Sequence, residues 1–444
     1  AAYESTRTAH AASVRHLKNV SYEFAETQNA LYKTLHKVQE ARSSHGVILT
    51  DESFWEQGHG DRHTATPWFP EKAQRARDEL FIAAIQLHKA FIDAAARPIR
   101  HNLAALMNVF TTQSFPTAAK QALLGDLWST LFLVVPLVST TFASVQRMLG
   151  KLPPSSLGWL LIDEAGQAVP QAAVGALMKT RRAVVLGDPI QIEPVVTLPD
   201  VLTQSILRRF GVDPDRFGAP VASVQSLADS ASPVMGEFQT RHGSRTVGAP
   251  LLVHRRCASP MFEIANQIAY AGLMVSARPA KNSAIRNCLG PSAWLHVEGS
   301  GEDKWCEEEG LMVIRLLQKL KQAGVYADLY IVSPFVIVAD RLRQLILRSG
   351  VLQGWIQDEE WAWVASRVGT VHTVQGREAE AVLFVLGAPS PAQTGARGWA
   401  GGRPNLLNVA VTRAKEVLYV IGNRQLWRES GVFSELDAQL LNRR

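Results

Sequence analysis

The chain has 444 residues, too many for one compact core, so its size excludes a single small domain and implies two or three. Hydrophobic residues at 47% and charged residues at 19% are the balance of an ordinary globular protein, not of a disordered chain. A formal net charge of +6 with a pI near 9.3 permits a polyanionic partner without requiring one.

The first residues, AAYESTRT, are already polar helical sequence with no initiating methionine, which leads us to expect a fragment of a longer chain. From Val14 to Val38, apolar side chains recur at Leu17, Phe24, Leu31 and Val38, with Val14 and Leu35 on the adjoining row. That seven-residue repeat predicts a long helix lying against another helix. A second stretch, Glu71 to Ala96, carries Leu80, Ala84, Leu87, Phe91 and Ala94 on one stripe. The turn-rich segment between the two makes a helical hairpin, an arm over 1–125. The run Leu131 to Val138 is too short to span a bilayer and is expected as a buried strand. No signal peptide is visible.

From about Leu131 onward, short apolar strands alternate with helices: LGWLLIDE, RAVVLGD, DLYIVSP, VGTVHTVQG, AVLFVLG and EVLYVIG. This pattern predicts an α/β fold with parallel sheets covered on both faces. Thr197 to Pro250 is rich in Ser, Pro, Gly and Asp, and its end, GSRTVGAP, is expected as a linker between α/β domains over 126–250 and 251–444. Cys257, Cys288 and Cys306 stand far apart with no C-x-x-C spacing, which disfavours a disulfide framework or zinc ribbon and fits a reducing, cytoplasmic home.

The chemistry sits where these strands end. In LLIDEAGQA, Asp163 and Glu164 leave an apolar strand, where two acids can face a nucleotide. The first would hold Mg²⁺ through water, and the second would take a proton from an attacking water. In VVLGDPIQIEPVV, Gly187 and Asp188 end the next strand, and Gln191 can hydrogen-bond a terminal phosphate or its water. Arg256 before one helix and Arg413 in VAVTRAKEV could fork a phosphate between them, although a plain salt bridge is the commoner fate of an arginine. TVHTVQGREAEAV places Gln375, Gly376 and Glu378 between strands, the glycine permitting close backbone approach and the acid able to bond a ribose hydroxyl.

In their order and spacing these stretches resemble motifs II to VI of superfamily 1 helicases. The nearest resemblance is to the B-type branch that includes the RNA helicase of nonsense-mediated decay and related bacterial proteins. Motif II of that branch, commonly D-E-A-x-Q-A, is met from Asp163 to Ala168. Motif III, G-D-x-x-Q-L-x-P-V, is met from Gly187 to Val195 with Ile192 for leucine. The motif IV arginine falls on Arg256, with Arg255 where an aromatic usually precedes it. The Q-G-x-E of motif V falls on Gln375 to Glu378, and V-T-R-A-K of motif VI is present letter for letter from Val411 to Lys415. Ser333 and Pro334 stand in place of a T-P-Y/F segment, with Val338 where glutamine is frequent. Thr140 and Thr141 resemble the threonines of the strand before motif II that meet a nucleic-acid backbone. The resemblance spans roughly residues 130 to 425.

It implies two RecA-like domains that bind ATP and Mg²⁺ in their cleft and single-stranded DNA or RNA across their tops, usually stepping 5′ to 3′. Thr140, Thr141, Ser333, Pro334, His372 and Thr373 would meet the strand, and the helical arm would be an insertion able to touch nucleic acid. Such contacts go to phosphates and stacked bases, so they do not separate DNA from RNA. Trp55, Trp68 and Trp361 are expected in packed cores, with base stacking as the alternative. A phosphate loop, G-x-x-x-x-G-K-[S/T], should precede these motifs, and none is present: Gly150 and Lys151 are adjacent, but Leu152 follows. The expectation is therefore a truncated motor whose first RecA-like domain is incomplete, with the rest lying N-terminal to Ala1. On this reading the chain alone hydrolyses little ATP. The alternative is a non-catalytic nucleic-acid-binding scaffold or half-site derived from a helicase.

Overall fold

The computed structural model describes residues 2–112, 114–115, 117–188, 190–240, 243–279, 281–301, 303–373 and 376–441. It forms two compact units, Ala1–Asn102 and Leu103–Arg444. The first is helical, with long helices over Ala2–His45 and Glu71–Ala94. Asp51 starts a short turn between them by accepting from the Phe54 amide at 3.2 Å, and Phe54 is buried. The helices are where the repeats put them, but the packing is not. Leu17, Phe24 and Leu31 on the first, and Leu80, Leu87 and Phe91 on the second, are all more than half exposed. The seven-residue period specifies a face that suits a partner, not the partner itself. Trp55 and Trp68, and Trp361 in the second unit, are also exposed instead of packed.

In the second unit the apolar run at Leu131 is not a strand. It ends a helix, Leu124–Val134, in which Leu124 and Trp128 pack with Leu106 and Leu152 in a small core, and Pro136 follows the helix end. Continuous apolar sequence is common to buried strands and buried helices, and periodicity alone does not separate them. The strands β1 (Leu157–Ile162) and β2 (Thr180–Val185) pair in parallel across the helix Pro170–Met178. The expected linker GSRTVGAP is instead the second strand of a hairpin: β3 (Gly236–Thr240) pairs antiparallel with β4 (Gly243–Val247). The Gly248 amide then donates to Asp229 Oδ1 at 3.1 Å, anchoring the chain where free linker was expected.

Beyond it lie β5 (Val253–His254) and β6 (Val275–Ser276), a short parallel pair, followed by β7 (Ala293–His296). β8 (Leu329–Ser333), β9 (Val368–Thr370), β10 (Ala379–Val385) and β11 (Ala414–Gly422) complete a five-stranded sheet in the order β7-β11-β10-β8-β9, parallel throughout. β8 is buried along its whole length, and β10 and β11 nearly so, which is why their sequences run apolar without alternation. β1 and β2 differ: Trp159 and Leu161 on β1 are more than half exposed, and β1 pairs with β2 alone among the described residues. No helix among the described residues is long and apolar enough to cross a membrane.

Glu309, on the helix Glu307–Gln322, is fully buried beside this sheet. Its Oε2 accepts from the Gly387 amide at 2.8 Å, its Oε1 has no partner, and burial pushes its carboxyl up to about 8. The folded state thus holds a proton that the unfolded chain releases above about 4.5. Stability from this group is complete below that value and is lost as pH rises through about 8, at about 1.4 kcal/mol per pH unit between the two. Glu309→Gln keeps the acceptor for Gly387 and has no proton to lose. Urea unfolding between pH 6 and 9 should show a midpoint that falls in the parent chain and stays level in the variant; parallel curves would refute the assignment.

Candidate functional site

Asp163 leaves β1 exposed, and its Oδ1 accepts from the Glu164 amide at 2.9 Å. Glu164 adopts φ 52°, ψ 37°, a left-handed conformation that costs a non-glycine residue about 1–3 kcal/mol. Two bonds hold it there: Gln167 Nε2 donates to Glu164 Oε2 at 2.9 Å, and the Ala165 amide donates to Leu186 O at 2.9 Å. That turn passes directly over Gly187 at the end of β2. A Cβ on Gly187 would lie 2.7 Å from the Gly166 amide nitrogen and 2.8 Å from that of Ala165. Glycine is required here by close approach of backbone to backbone.

The next turn carries Asp188 and Gln191. Asp188 accepts from the Ile190 amide at 2.9 Å, from Gln191 Nε2 at 3.2 Å and from the hydroxyl of Tyr270. Burial raises the Tyr270 phenol well above 10, aided by the negative charge of Asp188, so the hydroxyl stays a donor. Asn408 Nδ2 reaches Tyr270 Oη and Ile190 O, both at 3.0 Å, and Asn405 Nδ2 reaches Gln191 O at 2.5 Å. Arg403 pairs with Glu193 at 2.5 Å. Gln191 Oε1 is buried without a partner. Sequence reasoning missed Tyr270, Asn405 and Asn408. A usable signal was present: Asn405, Asn408 and Thr412 recur at helical spacing on Pro404–Thr412, polar positions in an otherwise apolar helix leading to Arg413.

A cleft of about 720 Å³ opens beside this turn. Its wall carries Arg255, Arg256, Arg278, Lys281 and Lys415 against two acids, Asp188 and Glu378. Glu378 is held by both Arg256 at 3.0 Å and Lys415 at 3.2 Å, and Arg278 forms a buried pair with Glu416. His254 Nε2 accepts from the Cys257 amide at 2.8 Å. Burial, with Arg256 and Arg278 nearby, pushes its imidazole down to about 4, so it is neutral at pH 7. Arg413 is only 2% exposed and donates to Arg377 O at 3.0 Å and Val409 O at 3.4 Å. Burial and the charge of Arg256 lower its pKa, while Glu164 and Glu378 are near enough to oppose that shift.

The remaining expected residues divide. Asp163 shares a hollow of about 660 Å³ with Thr140 and Thr141, both exposed, although 135–141 forms no strand. Thr141 instead begins the helix Phe142–Leu149. His372 and Thr373 are exposed. Ser333 and Pro334 are buried, so the expectation that they meet a strand fails here: the Ser333 hydroxyl accepts from the Phe335 amide at 3.3 Å and presents no surface. Gly376 has φ 75°, a turn conformation that favours glycine. Gln375 lies outside the described residues.

Two family models, both described as "AAA domain", match residues 121–198 and 238–425. The chain is 22% identical over 308 residues to the DNA-binding protein SMUBP-2 of Rattus norvegicus, and equally to that of Mesocricetus auratus, covering 65% of this chain. It spans 27% of the length of these curated relatives. Among solved structures, Arterivirus nonstructural protein 10, a helicase, is 13% identical with a TM-score of 0.28, covering 60% of this chain and 39% of that one. The C-terminal domain of a possible DNA helicase from Lactobacillus is 12% identical with a TM-score of 0.25, covering 42% and 93%. The chain is a superfamily 1 helicase-like protein.

Gly187→Ala forces its methyl against two backbone amides that cannot retreat without moving the Glu164 turn. It should destabilise the fold by about 1–3 kcal/mol, read as a lower urea midpoint at unchanged slope. An unchanged midpoint would show that the two turns do not pass as closely as described.

Proposed function

We propose that the protein containing this chain is an ATP-dependent helicase or translocase acting on single-stranded DNA or RNA, moving 5′ to 3′. The observation that carries the proposal is the cleft in which Asp188 and Gln191 from the end of β2 face Arg255, Arg256, Arg278, Lys281 and Lys415. Five cations against two acids, both acids already hydrogen-bonded, suit a triphosphate. Gln191 Oε1, buried and unpartnered, suits a hydrogen bond to a terminal phosphate's water. Among the described residues no three His, Cys, Asp or Glu side chains cluster to hold a metal. Mg²⁺ needs no such cage, since it keeps several waters and is bound through one or two carboxylates and the phosphates themselves, a role open to exposed Asp163.

ATP, when bound, supplies the phosphoanhydride whose cleavage drives movement. The chain's own residues have separable tasks. Glu164 is oriented by Gln167 through Oε2, which leaves Oε1 to take a proton from water. Arg256 and Arg413 supply the positive charge of a phosphate clamp, and two backbone carbonyls fix the direction of Arg413. Glu378, with Gln375 and Gly376 ahead of it, is assigned to the ribose side. Exposed Thr140, Thr141, His372 and Thr373 are the candidate strand contacts. The three cysteines are unpaired, in keeping with a cytoplasmic setting.

Because the chain spans 27% of its curated relatives, the activity is proposed for the full-length protein and is tested there. Glu164→Gln should lower nucleic-acid-stimulated ATP hydrolysis by about 10²–10⁴-fold while single-strand binding stays within about twofold of the parent. Normal turnover in the variant would remove Glu164 as the base. A parent protein that binds nucleic acid but never hydrolyses ATP would favour the scaffold reading.

A further inference from the structure

On either side of Gln191, Ile192 is buried in the core of the second unit and Ile190 packs against that core. Ile190 is half-buried, and among the described residues of the turn one backbone hydrogen bond runs within it, from the Gln191 amide to Asp188 O at 3.2 Å. What orients it comes from elsewhere in the chain. Asn408 is fully buried, and its Nδ2 donates to Ile190 O and to Tyr270 Oη, both at 3.0 Å. A carbonyl only accepts, so the contact to Ile190 fixes which way the Asn408 amide faces. Tyr270 in turn donates its proton to Asp188 Oδ2, and the same carboxylate accepts from Gln191 Nε2 and the Ile190 amide. The chain of donors therefore runs one way, from Asn408 through Tyr270 to Asp188. Its last member holds the Gln191 side chain. Asn408 Oδ1 is left buried and unpartnered, a penalty that packing alone gives no reason to keep.

We propose that Asn408 and Tyr270 are positioning residues for Gln191, an inference that rests on the function proposed above for that glutamine. Asn408 lies on Pro404–Thr412, whose C-terminal cap is Arg413 and whose Thr412 lines the cleft. One helix thus sets both the glutamine's turn and the arginine, so displacement of that helix displaces both. Neither Asn408 nor Tyr270 is assigned contact with nucleotide. An aspartate at 408 cannot substitute: it offers only acceptors to Ile190 O, and Tyr270 would face two acceptors with one proton.

The experiment uses the full-length protein with Asn408→Ala, Asn408→Asp and Tyr270→Phe. It reads amide exchange at Ile190 and Gln191, with the β10 amides as a reference, together with kcat and KM for ATP. Exchange at the two turn amides should rise about tenfold, the scale of one lost hydrogen bond, with β10 unchanged. The kcat should fall about 10- to 100-fold with KM within about threefold, and the aspartate variant should do no better than alanine. Unchanged exchange in the turn overturns the inference whether or not the protein hydrolyses ATP. So does exchange that rises equally in β10, which marks a merely structural role, or exchange that rises while kcat holds. Raised turn exchange in a protein whose parent form hydrolyses no ATP keeps the positioning and discards the functional reading.

Discussion

Asp188 accepts from a backbone amide, a glutamine amide and a tyrosine hydroxyl, and these donors come from two separate stretches of the chain. The Ile190 and Gln191 donors lie within its own turn, whereas Tyr270 ends the helix Met261–Ala269. A carboxylate at that position needs such partners, because a half-buried charge without them costs several kcal/mol. Satisfying Asp188 therefore brings the turn after β2 against the helices that precede β7 and β11. The rest of the site follows from that union. Gln191 points inward because Asp188 holds it, and the cleft has a basic wall opposite because Tyr270 and Asn408 keep that wall close.

The cleft's electrostatics are uneven by design of its partners, not by raw count. Glu378 is shared by Arg256 and Lys415, and Arg278 is spent on Glu416. Arg255 and Lys281 carry no ion pair among the described residues, so they are the wall's available charges. Histidine contributes nothing to that charge: His254 is pushed down to about 4 and serves as an acceptor for the Cys257 amide. Arg413 differs again, being buried and aimed by carbonyls. The two arginines that look equivalent in sequence thus occupy different environments, one exposed and ion-paired, the other enclosed.

Much of this fold is legible in the amino-acid sequence. β1, β2, β8, β10 and β11 lie where apolar runs ended in Asp, Gly or Ser, since a strand covered on both faces must be apolar along its length. β5, β6 and β7, of two to four residues, were invisible because so short a run carries no period, whereas three-residue β9 lay within the longer stretch VGTVHTVQG. Leu131 to Val138 was misread because a buried helix end and a buried strand share one composition. GSRTVGAP looked like linker because Gly, Ser and Pro suggest turns, yet pairing with Gly236–Thr240 outweighs that weak preference. The apolar repeats of the first unit marked helices correctly and their partners not at all.

The sequence by itself determined where the candidate residues stand: Asp163, Glu164, Gly187, Asp188 and Gln191 at strand ends, and Arg256 and Arg413 near helix ends. Local rules suffice for that, because strand endings and motif spacing are properties of neighbouring residues. Only the tertiary structure decided which of them meet. It set Glu164 in a left-handed turn passing over Gly187, buried Ser333 and Pro334, paired Arg256 with Glu378, and brought Tyr270 and Asn408 to residues 82 and 218 positions away in the chain. Contacts across such distances depend on how whole elements pack, and no local pattern records them.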